Sequence, residues 1–391
     1  MSYTISLEPF GVEFECGEDE TILDAAFKAG LSLRYGCKHG GCGGCKHQLS
    51  EGEVDYNDHA TAISEEEQDA GIALLCCAYP EEDIVISLDD DYKLEDLTPE
   101  YPVRVFDAQI SGINFVTHDT VHLCMRGLGD DQYGFHPGQY LEIQVPGSDD
   151  LWRCYSMANL PSDSGETELV VKVIPNGEFS EYLKTAKIGD DVVFRGPYGQ
   201  FQLSETNAEI ILIAGESGMA PVMSMLRQLV AAKSDRKVSF YYGARAVKDL
   251  YFVEEITALG AQLADFRFIP ALSEPAADDN WDGECGFITD VLARNTESLR
   301  AAEGYLCGPP PMIDAAVFRF IPALSEPAAD DNWDGECGFI TDVLARNTES
   351  LRAAEGYLCG PPPMIDAAVE VLKQKGMFNS RIRFDKFVQN S

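Results

Sequence analysis

The sequence predicts a chain of three domains: a small α+β domain, an antiparallel β-barrel and a parallel α/β domain. Three observations predict this order. A glycine-rich loop with closely spaced cysteines lies near the N-terminus, short alternating segments follow, and an apolar strand leading through a glycine turn into an apolar helix opens the third part. At 391 residues the chain is too long for one core. We place the domains at residues 1–95, 101–205 and 207–391.

The composition limits the partners of the chain. With 66 acidic and 29 basic residues its formal net charge is −37, which disfavours nucleic acid and anionic membranes as partners. Acidic runs at 65–67, 81–83 and 89–91 form either a docking surface for a basic protein or a solvated surface. The sequence shows neither a membrane-spanning apolar run nor a signal peptide. We therefore expect a cytoplasmic protein with reduced cysteines.

The most specific feature is a group of cysteines. Cys37, Cys42 and Cys45 share one glycine-rich loop and are followed by Cys76 and Cys77, a C-x4-C-x2-C…C spacing that is typical of plant-type [2Fe–2S] ligation. Zinc ligands usually come as two short pairs and disulfides need an oxidising compartment, so both alternatives fit less well. Counting alone does not decide between Cys76 and Cys77 as the fourth ligand.

Residues 75–80, Leu-Cys-Cys-Ala-Tyr-Pro, resemble the closing segment of plant-type ferredoxins. In that family the first cysteine of the segment is a cluster ligand. The resemblance therefore implies that Cys37, Cys42, Cys45 and Cys76 hold the cluster and that residues 1–95 form a β-grasp domain. Cys77 would be a bystander thiol.

Residues 103–194 predict the second domain. Five segments alternate or run apolar with turns between them: Val103–Phe106, Val121–Cys124, Gln139–Val145, Glu168–Ile174 and Asp191–Phe194. Short strands at this spacing predict a small antiparallel barrel. An Arg and a Tyr on such a strand, taken alone, are more often surface and cross-strand residues than cofactor contacts.

Three motifs together resemble the flavin domain of the ferredoxin–NADP⁺ reductase-like superfamily. They are Arg153-Cys-Tyr-Ser156, Gly177-Glu-Phe-Ser180 and Phe135-His-Pro-Gly-Gln-Tyr140. The resemblance implies that Arg153 pairs with the pyrophosphate of FAD, that Tyr155 stacks on the isoalloxazine and that Ser156 donates to flavin N5. It also implies that Gly177 to Ser180 cap the pyrophosphate through backbone N–H groups.

The third segment changes from strand periodicity to alternating strand and helix. The apolar strand Glu209–Ala214 leads into Gly215-Glu-Ser-Gly218-Met-Ala-Pro221 and an apolar helix, whose first turn favours a phosphate. This is not the G-x-G-x-x-G fingerprint, but it resembles the Gly-x-x-Gly-x-x-Pro nucleotide turn of the same superfamily. Glu216 departs from that pattern, because the family favours a small residue there and a carboxylate would repel a pyrophosphate unless it points outward.

The same resemblance places further residues of a nucleotide site. The resemblance implies NADH rather than NADPH. Arg245, a candidate nucleotide contact, and Lys248 follow the strand at 238–243 without an evident clamp for a second phosphate. Tyr357-Leu-Cys359-Gly360-Pro resembles the segment whose thiol lies near the nicotinamide, although a lone buried cysteine is otherwise ordinary core packing. Phe387 resembles the C-terminal aromatic residue that lies near the flavin.

An internal repeat interrupts this third segment. Residues 266–317 recur without a change as residues 318–369. One identical doubling of 52 residues is unlike a solenoid, whose copies drift, and indicates a recent duplication or an assembly artefact.

Only one copy of the Cys-Gly-Pro segment can occupy the corresponding place in a single nucleotide domain. After the second copy a helix continues unbroken to Gly376, whereas after the first copy the same helix runs into Phe318-Arg-Phe-Ile-Pro. We therefore predict that Cys359, not Cys307, occupies this place, and that the spare residues bulge from a loop such as Ser273–Asp282.

The order of ferredoxin, flavin barrel and nucleotide domain resembles the reductase components of bacterial multicomponent oxygenases, particularly those of soluble diiron monooxygenases that act on alkanes, alkenes or phenols. The resemblance implies an oxidoreductase that passes electrons from NADH through FAD and a [2Fe–2S] cluster to a separate hydroxylase, with Cys359 and Ser156 beside the site of hydride transfer. Alternatives are the reductase of a Rieske dioxygenase, or an electron carrier whose nucleotide domain the duplication has disabled.

Overall fold

A computed structural model of the chain divides into two compact units. The first comprises Met1–Arg104 with Ile321–Ser391, and the second comprises Val105–Phe320. The predicted third domain, 207–391, is therefore shared between the units. The structure describes residues 1–36, 38–41, 43–56, 59–89, 92–129, 133–148, 151–161, 165–276, 279–296, 302–309, 312–313, 323–324, 336–337, 356–360, 362–375 and 382–386.

The N-terminal part of the first unit is a mixed five-stranded sheet with short helices. Its elements are β1 Ser2–Glu8, β2 Val12–Gly17, α1 Ile22–Lys28, β3 Lys46–Glu51, β4 Val54–Tyr56, α2 Glu65–Asp69, β5 Ile72–Leu74, β6 Ala78–Pro80, β7 Ile84–Ser87 and α3 Leu94–Leu97. The strand order is β2-β1-β7-β3-β5, in which β1 pairs antiparallel with β2 and parallel with β7. The β-grasp prediction is confirmed.

Alternation along β1 explains how this sheet buries one face. Ile5 and Leu7 are fully buried, whereas Glu8 at the end of the strand is exposed. Helix α1 begins after Thr21, whose hydroxyl accepts the N–H of Asp24 at 3.2 Å. A cap of this kind stabilises a short helix by about 1 kcal/mol.

The first part of the second unit is an antiparallel barrel. Its elements are β8 Arg104–Phe115, β9 Thr120–Gly127, β10 Tyr140–Gln144, β11 Trp152–Ser156, β12 Glu166–Lys172, α4 Glu178–Leu183 and β13 Asp191–Tyr198. The order is β11-β10-β13-β8-β9-β12. An antiparallel bridge between Met157 and Leu169 links the two edge segments, so the sheet is nearly closed around an apolar core. The barrel prediction is confirmed.

The second part of this unit is a parallel sheet with helices. Its elements are β14 Glu209–Gly215, α5 Met219–Ala231, β15 Val238–Ala244, α6 Val253–Gly260, β16 Phe266–Leu272, β17 Glu284–Cys285, α7 Ile288–Asn295 and β18 Ala302–Cys307. The order β17-β16-β15-β14-β18 is parallel throughout. Residues Ile210–Ala214 are all buried, as expected for a central strand covered on both faces.

The duplicated segment contributes differently in its two copies. The first copy provides β16, β17, α7 and β18, all within the parallel sheet. The second copy and the C-terminus provide β19 Ala323–Leu324, β20 Glu336–Cys337, β21 Gly356–Gly360, α8 Pro362–Gln374 and β22 Ile382–Lys386. There β19 pairs with β20 and β21 pairs with β22, as two separate parallel pairs.

This arrangement corrects the prediction about the repeat. Cys307 of β18 pairs with Ala214 of β14, so the first copy takes the place that we assigned to Cys359. No loop at Ser273–Asp282 is extended by the spare residues, since β16 and β17 both belong to the first copy. Because the two copies have the same sequence, either one could supply these contacts, and connectivity decides between them. The short connection after α6 closes a smaller loop with the first copy than with the second.

No helix that the structure describes is both long enough and apolar enough to cross a membrane.

Candidate functional site

Two of the predicted cluster ligands, Cys45 and Cys76, lie together in the first unit. The backbone N–H of Cys76 donates to the Cys45 sulfur at 3.4 Å, and the two residues are only 1% and 7% exposed. Hydrogen bonds to ligand sulfurs are characteristic of protein-bound clusters. Cys37 and Cys42 lie outside the described residues.

The cluster loop packs so closely on its surroundings that Gly40 has no room for a side chain. Its φ is +73°, and a Cβ there would lie 2.0 Å from the carbonyl oxygen of His59 and 2.7 Å from the Cys77 sulfur. Such a tight backbone approach fits a loop that wraps a small inorganic group.

Cys76 and Cys77, the two candidates for the fourth ligand, lie side by side. Their sulfurs are 3.7 Å apart. Hydrogen bonds with Cys45 and Cys77 hold the pKa of Cys76 well below the usual range of a thiol, against the effect of burial. The thiolate is the form that binds metal. The assignment of Cys76 as the fourth ligand stays a prediction.

Sequence reasoning missed a buried polar pair behind the cluster loop. The Nε2 atom of His47 is 2.8 Å from the hydroxyl oxygen of Tyr92, and its Nδ1 atom is 3.2 Å from the carbonyl oxygen of Cys45. The Cys45 carbonyl can only accept, so the His47 Nδ1–H donates to it and Nε2 of the neutral ring accepts the Tyr92 O–H. The Tyr92 oxygen in turn accepts the backbone N–H of Arg34 at 2.7 Å. Burial lowers the pKa of His47 to about 4, so the ring is neutral. The available signal was a histidine on the inward face of β3.

In the barrel, β11 carries the predicted flavin residues. Alternation puts Arg153 and Tyr155 on one face. A guanidinium nitrogen of Arg153 is 3.4 Å from a carboxylate oxygen of Glu178. The ring centroids of Tyr155 and Phe179 are 5.4 Å apart. Both side chains therefore reach the first turn of α4. Ser156 ends the strand opposite Tyr140 of β10.

Some of the polar groups in the turn before α4 form hydrogen bonds with one another. The N–H of Gly177 donates to the carbonyl of Ile174 at 3.0 Å, and the buried Ser180 hydroxyl accepts the N–H of Ile174 at 2.9 Å. Ser180 therefore fixes the shape of the turn. The cationic Arg153 beside the first turn of a helix fits a pyrophosphate.

The nucleotide turn follows β14. Gly215 ends the strand, Glu216–Gly218 forms a 3₁₀ turn and buried Pro221 lies in the first turn of α5. A Cβ on Gly218 would lie 2.2 Å from the carbonyl oxygen of Cys307. The end of β18 thus lies directly against the turn, and the thiol-bearing residue beside the predicted nucleotide site is Cys307. Cys359 and Gly360 instead end β21, and Phe387 lies outside the described residues.

Arg245 follows β15 and faces two carboxylates. Its guanidinium lies 3.8 Å from Asp119 and 3.9 Å from Asp249. Lys172 of β12 also binds Asp119, at 2.7 Å. Arg245 therefore lies between two carboxylates at the end of β15, and its contact with the nucleotide stays a prediction.

A second feature missed from the sequence joins the barrel to the nucleotide sheet within the second unit. Glu168 of β12 accepts from His122 at 3.2 Å and from Arg227 of α5 at 2.9 Å. Burial alone would lower the pKa of His122, but hydrogen bonds with Cys124 and Glu168 outweigh it and raise the pKa to about 9. Arg227 also binds Glu255 of α6 at 2.6 Å. These residues are far apart in sequence, so no local pattern predicted the network.

Three protein families match the chain in the predicted order. The 2Fe-2S iron-sulfur cluster binding domain matches residues 5–81 and the oxidoreductase FAD-binding domain matches 107–203. The oxidoreductase NAD-binding domain matches twice, at 212–318 and 317–370. The fold and these matches define a flavin and iron-sulfur oxidoreductase that uses a nicotinamide nucleotide.

Two curated relatives and one solved structure are similar over most of the chain. The reductase component of propane 2-monooxygenase from Mycolicibacterium smegmatis is 38% identical over 323 residues, covering 81% of this chain and 92% of the relative. The reductase component DmpP of phenol 2-monooxygenase from Pseudomonas sp. is 36% identical, covering 81% and 90%. The crystal structure of Amycolatopsis cytochrome P450 reductase GcoB has a TM-score of 0.72 and 26% identity, covering 98% of each chain. The chain belongs to the family of reductase components of multicomponent monooxygenases.

Proposed function

We propose that this protein takes electrons from NADH and delivers them singly to the hydroxylase of a diiron monooxygenase. The observation that carries the proposal is the close approach of Cys307 to the Gly218 turn, beside which Arg245 is held by carboxylates. The first copy of the repeat thereby supplies β18, the strand that lies beside the nucleotide turn. This supports a working reductase over an electron carrier whose nucleotide domain is disabled.

The residues of the second unit have separate roles in this proposal. Arg153 and the first turn of α4 bind the pyrophosphate of FAD, while Tyr155 and Ser156 line the isoalloxazine. Gly215, Gly218 and the N-terminus of α5 bind the pyrophosphate of NADH. When bound, the flavin accepts a pair of electrons from NADH and the cluster accepts and passes on single electrons.

Cys307 takes the role that the sequence assigned to Cys359. Its position at the end of β18, against the nucleotide turn, suits a thiol that packs on the nicotinamide and sets the orientation of the ring. In the first unit, Cys37, Cys42, Cys45 and Cys76 are the proposed cluster ligands. We place the protein in the cytoplasm, which is supported by its similarity to reductase components of monooxygenases.

A matched pair of variants tests the nucleotide assignment. We expect Cys307→Ala to slow flavin reduction by NADH roughly 10- to 100-fold in stopped-flow absorbance, because ring orientation is lost. Cys359→Ala removes a thiol from the identical sequence in the second copy and should leave the rate unchanged. The reverse pattern would show that the second copy forms the working site.

Reconstitution tests the partner. The reductase and NADH are combined with a purified diiron hydroxylase or a Rieske dioxygenase, and product formation is measured for each. Turnover with the diiron hydroxylase alone is the expected result. Turnover only with the Rieske enzyme would assign the protein to dioxygenase systems.

A further inference from the structure

Glu216 lies at an unusual place in the nucleotide turn. It is the first residue of the 3₁₀ turn between β14 and α5 and has a φ of +49°, a left-handed conformation that a residue with a Cβ rarely adopts. The buried hydroxyl of Tyr251 donates to its carbonyl oxygen and holds the backbone there. A glycine would adopt this conformation without strain.

The side chain of Glu216 leaves the turn towards the barrel. The side chain is 40% exposed, and its carboxylate lies 3.8 Å from the ammonium of Lys172. That ammonium is closer to Asp119, at 2.7 Å. Lys172 therefore shares its charge between two carboxylates and neutralises Glu216 only in part.

The other charged groups around the turn do not neutralise Glu216 either. Arg245 is engaged with Asp119 and Asp249, and it is 55% exposed. His118 lies 3.3 Å from Asp119 and 3.5 Å from Asp249. Three carboxylates thus face two permanent cations around a turn that is assigned to bind an anion.

We propose that Glu216 weakens the binding of the nicotinamide nucleotide by repelling its pyrophosphate, while Lys172 draws the carboxylate towards the barrel and keeps the turn open. This inference rests on the proposed nucleotide site. A repulsive group in the binding turn raises the dissociation constants of both NADH and NAD⁺, so the oxidised nucleotide leaves faster. Glu216 is an affinity-setting residue and takes no part in electron transfer itself.

Calorimetric binding to the oxidised holoprotein tests the inference. The probes are NAD⁺ and ADP-ribose, which has the same pyrophosphate but no nicotinamide. We expect Glu216→Gln to lower the dissociation constant of ADP-ribose roughly three- to ten-fold at low salt, and by less at high salt where charge is screened. Glu216→Gly should lower it at least as much. Lys172→Gln should raise it, and the effect should shrink when combined with Glu216→Gln.

Glu254→Gln is the matched control, because it removes the same charge from an exposed position in the first turn of α6. It should change the dissociation constant by less than twofold. Unchanged binding in Glu216→Gln, with normal binding in the unaltered protein, would overturn the role of Glu216 and leave the site intact. An unaltered protein that binds neither probe would overturn the proposed nucleotide site as well.

Discussion

At the scale of single residues, the cluster loop depends on positions where no other side chain fits. Gly40 combines a left-handed backbone with contacts that would overlap a Cβ, and the neighbouring Cys45 carbonyl is held from behind by His47 and Tyr92. Both features restrict where the described part of the loop can lie.

We expect Gly40→Ala to prevent stable cluster incorporation, because a Cβ 2.0 Å from a backbone oxygen forces the loop to move. Iron content and visible absorbance of the purified protein measure the loss. Gly11→Ala is the matched control, since Gly11 has a similar φ of +64° but open space around it, and it should cost only about 1 kcal/mol of stability. Normal iron content in Gly40→Ala would contradict the tight-loop argument.

Tyr92→Phe removes the hydroxyl that joins His47 to the backbone of Arg34. It leaves a buried ring nitrogen without its donor, which costs about 1–3 kcal/mol. Thermal unfolding followed by cluster absorbance should therefore show a lower midpoint. Tyr3→Phe on β1 is the control and should leave the midpoint unchanged. An equal midpoint in both variants would mean that the His47 contact contributes no stability.

At the scale of elements, strand periodicity and glycine turns allowed much of the fold to be predicted. The alternating β11 with Arg153 and Tyr155, and the apolar β14 followed by a turn and α5, lie where the sequence placed them. The contacts between distant elements could not be predicted. Glu168, Arg227 and Glu255 come from three different elements, so their pairing depends on how the barrel packs on the nucleotide sheet.

The His122–Glu168 pair predicts a loss of stability at alkaline pH. In the folded protein the pKa of His122 is raised from 6.5 to about 9. Protonated His122 therefore stabilises the fold fully below pH 6.5, and this contribution is lost as the pH rises through 9. The loss amounts to roughly 1–3 kcal/mol. The temperature at which the flavin is released, followed by its fluorescence at pH 6 and at pH 10, measures this loss of stability. His122→Gln and Glu168→Gln should show a smaller pH dependence than the unaltered protein, and an equal dependence would contradict the pair's role.

At the scale of the whole molecule, the doubled segment decides which strands form the nucleotide sheet. The sequence showed the repeat, but helix continuity favoured the second copy, whereas β18 of the first copy pairs with β14. The prediction was wrong because identical copies compete on equal terms for contacts, and the nearer copy closes the shorter loop. The last strand, β22, pairs with β21 of the second copy, in a two-stranded sheet separate from the nucleotide sheet.

Deleting either copy yields the same chain, because removing 52 residues from 391 leaves one identical sequence of 339. In this chain we expect β22 to pair with β18, because residues 304–307 of β18 have the sequence of residues 356–359 of β21 and would offer the same register. The nucleotide sheet would gain a sixth strand and protect β18 from hydrogen exchange. Mass spectrometry of exchange on residues 302–307 measures this, and unchanged protection would contradict the expected pairing.

An anaerobic titration of the holoprotein with NADH, following the visible bands of flavin and cluster, tests most directly whether the protein passes electrons from NADH to the cluster. We expect NADH to bleach both sets of bands, because electrons pass from the nucleotide through the flavin to the cluster. If dithionite bleaches both while NADH bleaches neither, the nucleotide site does not work and the protein is an electron carrier.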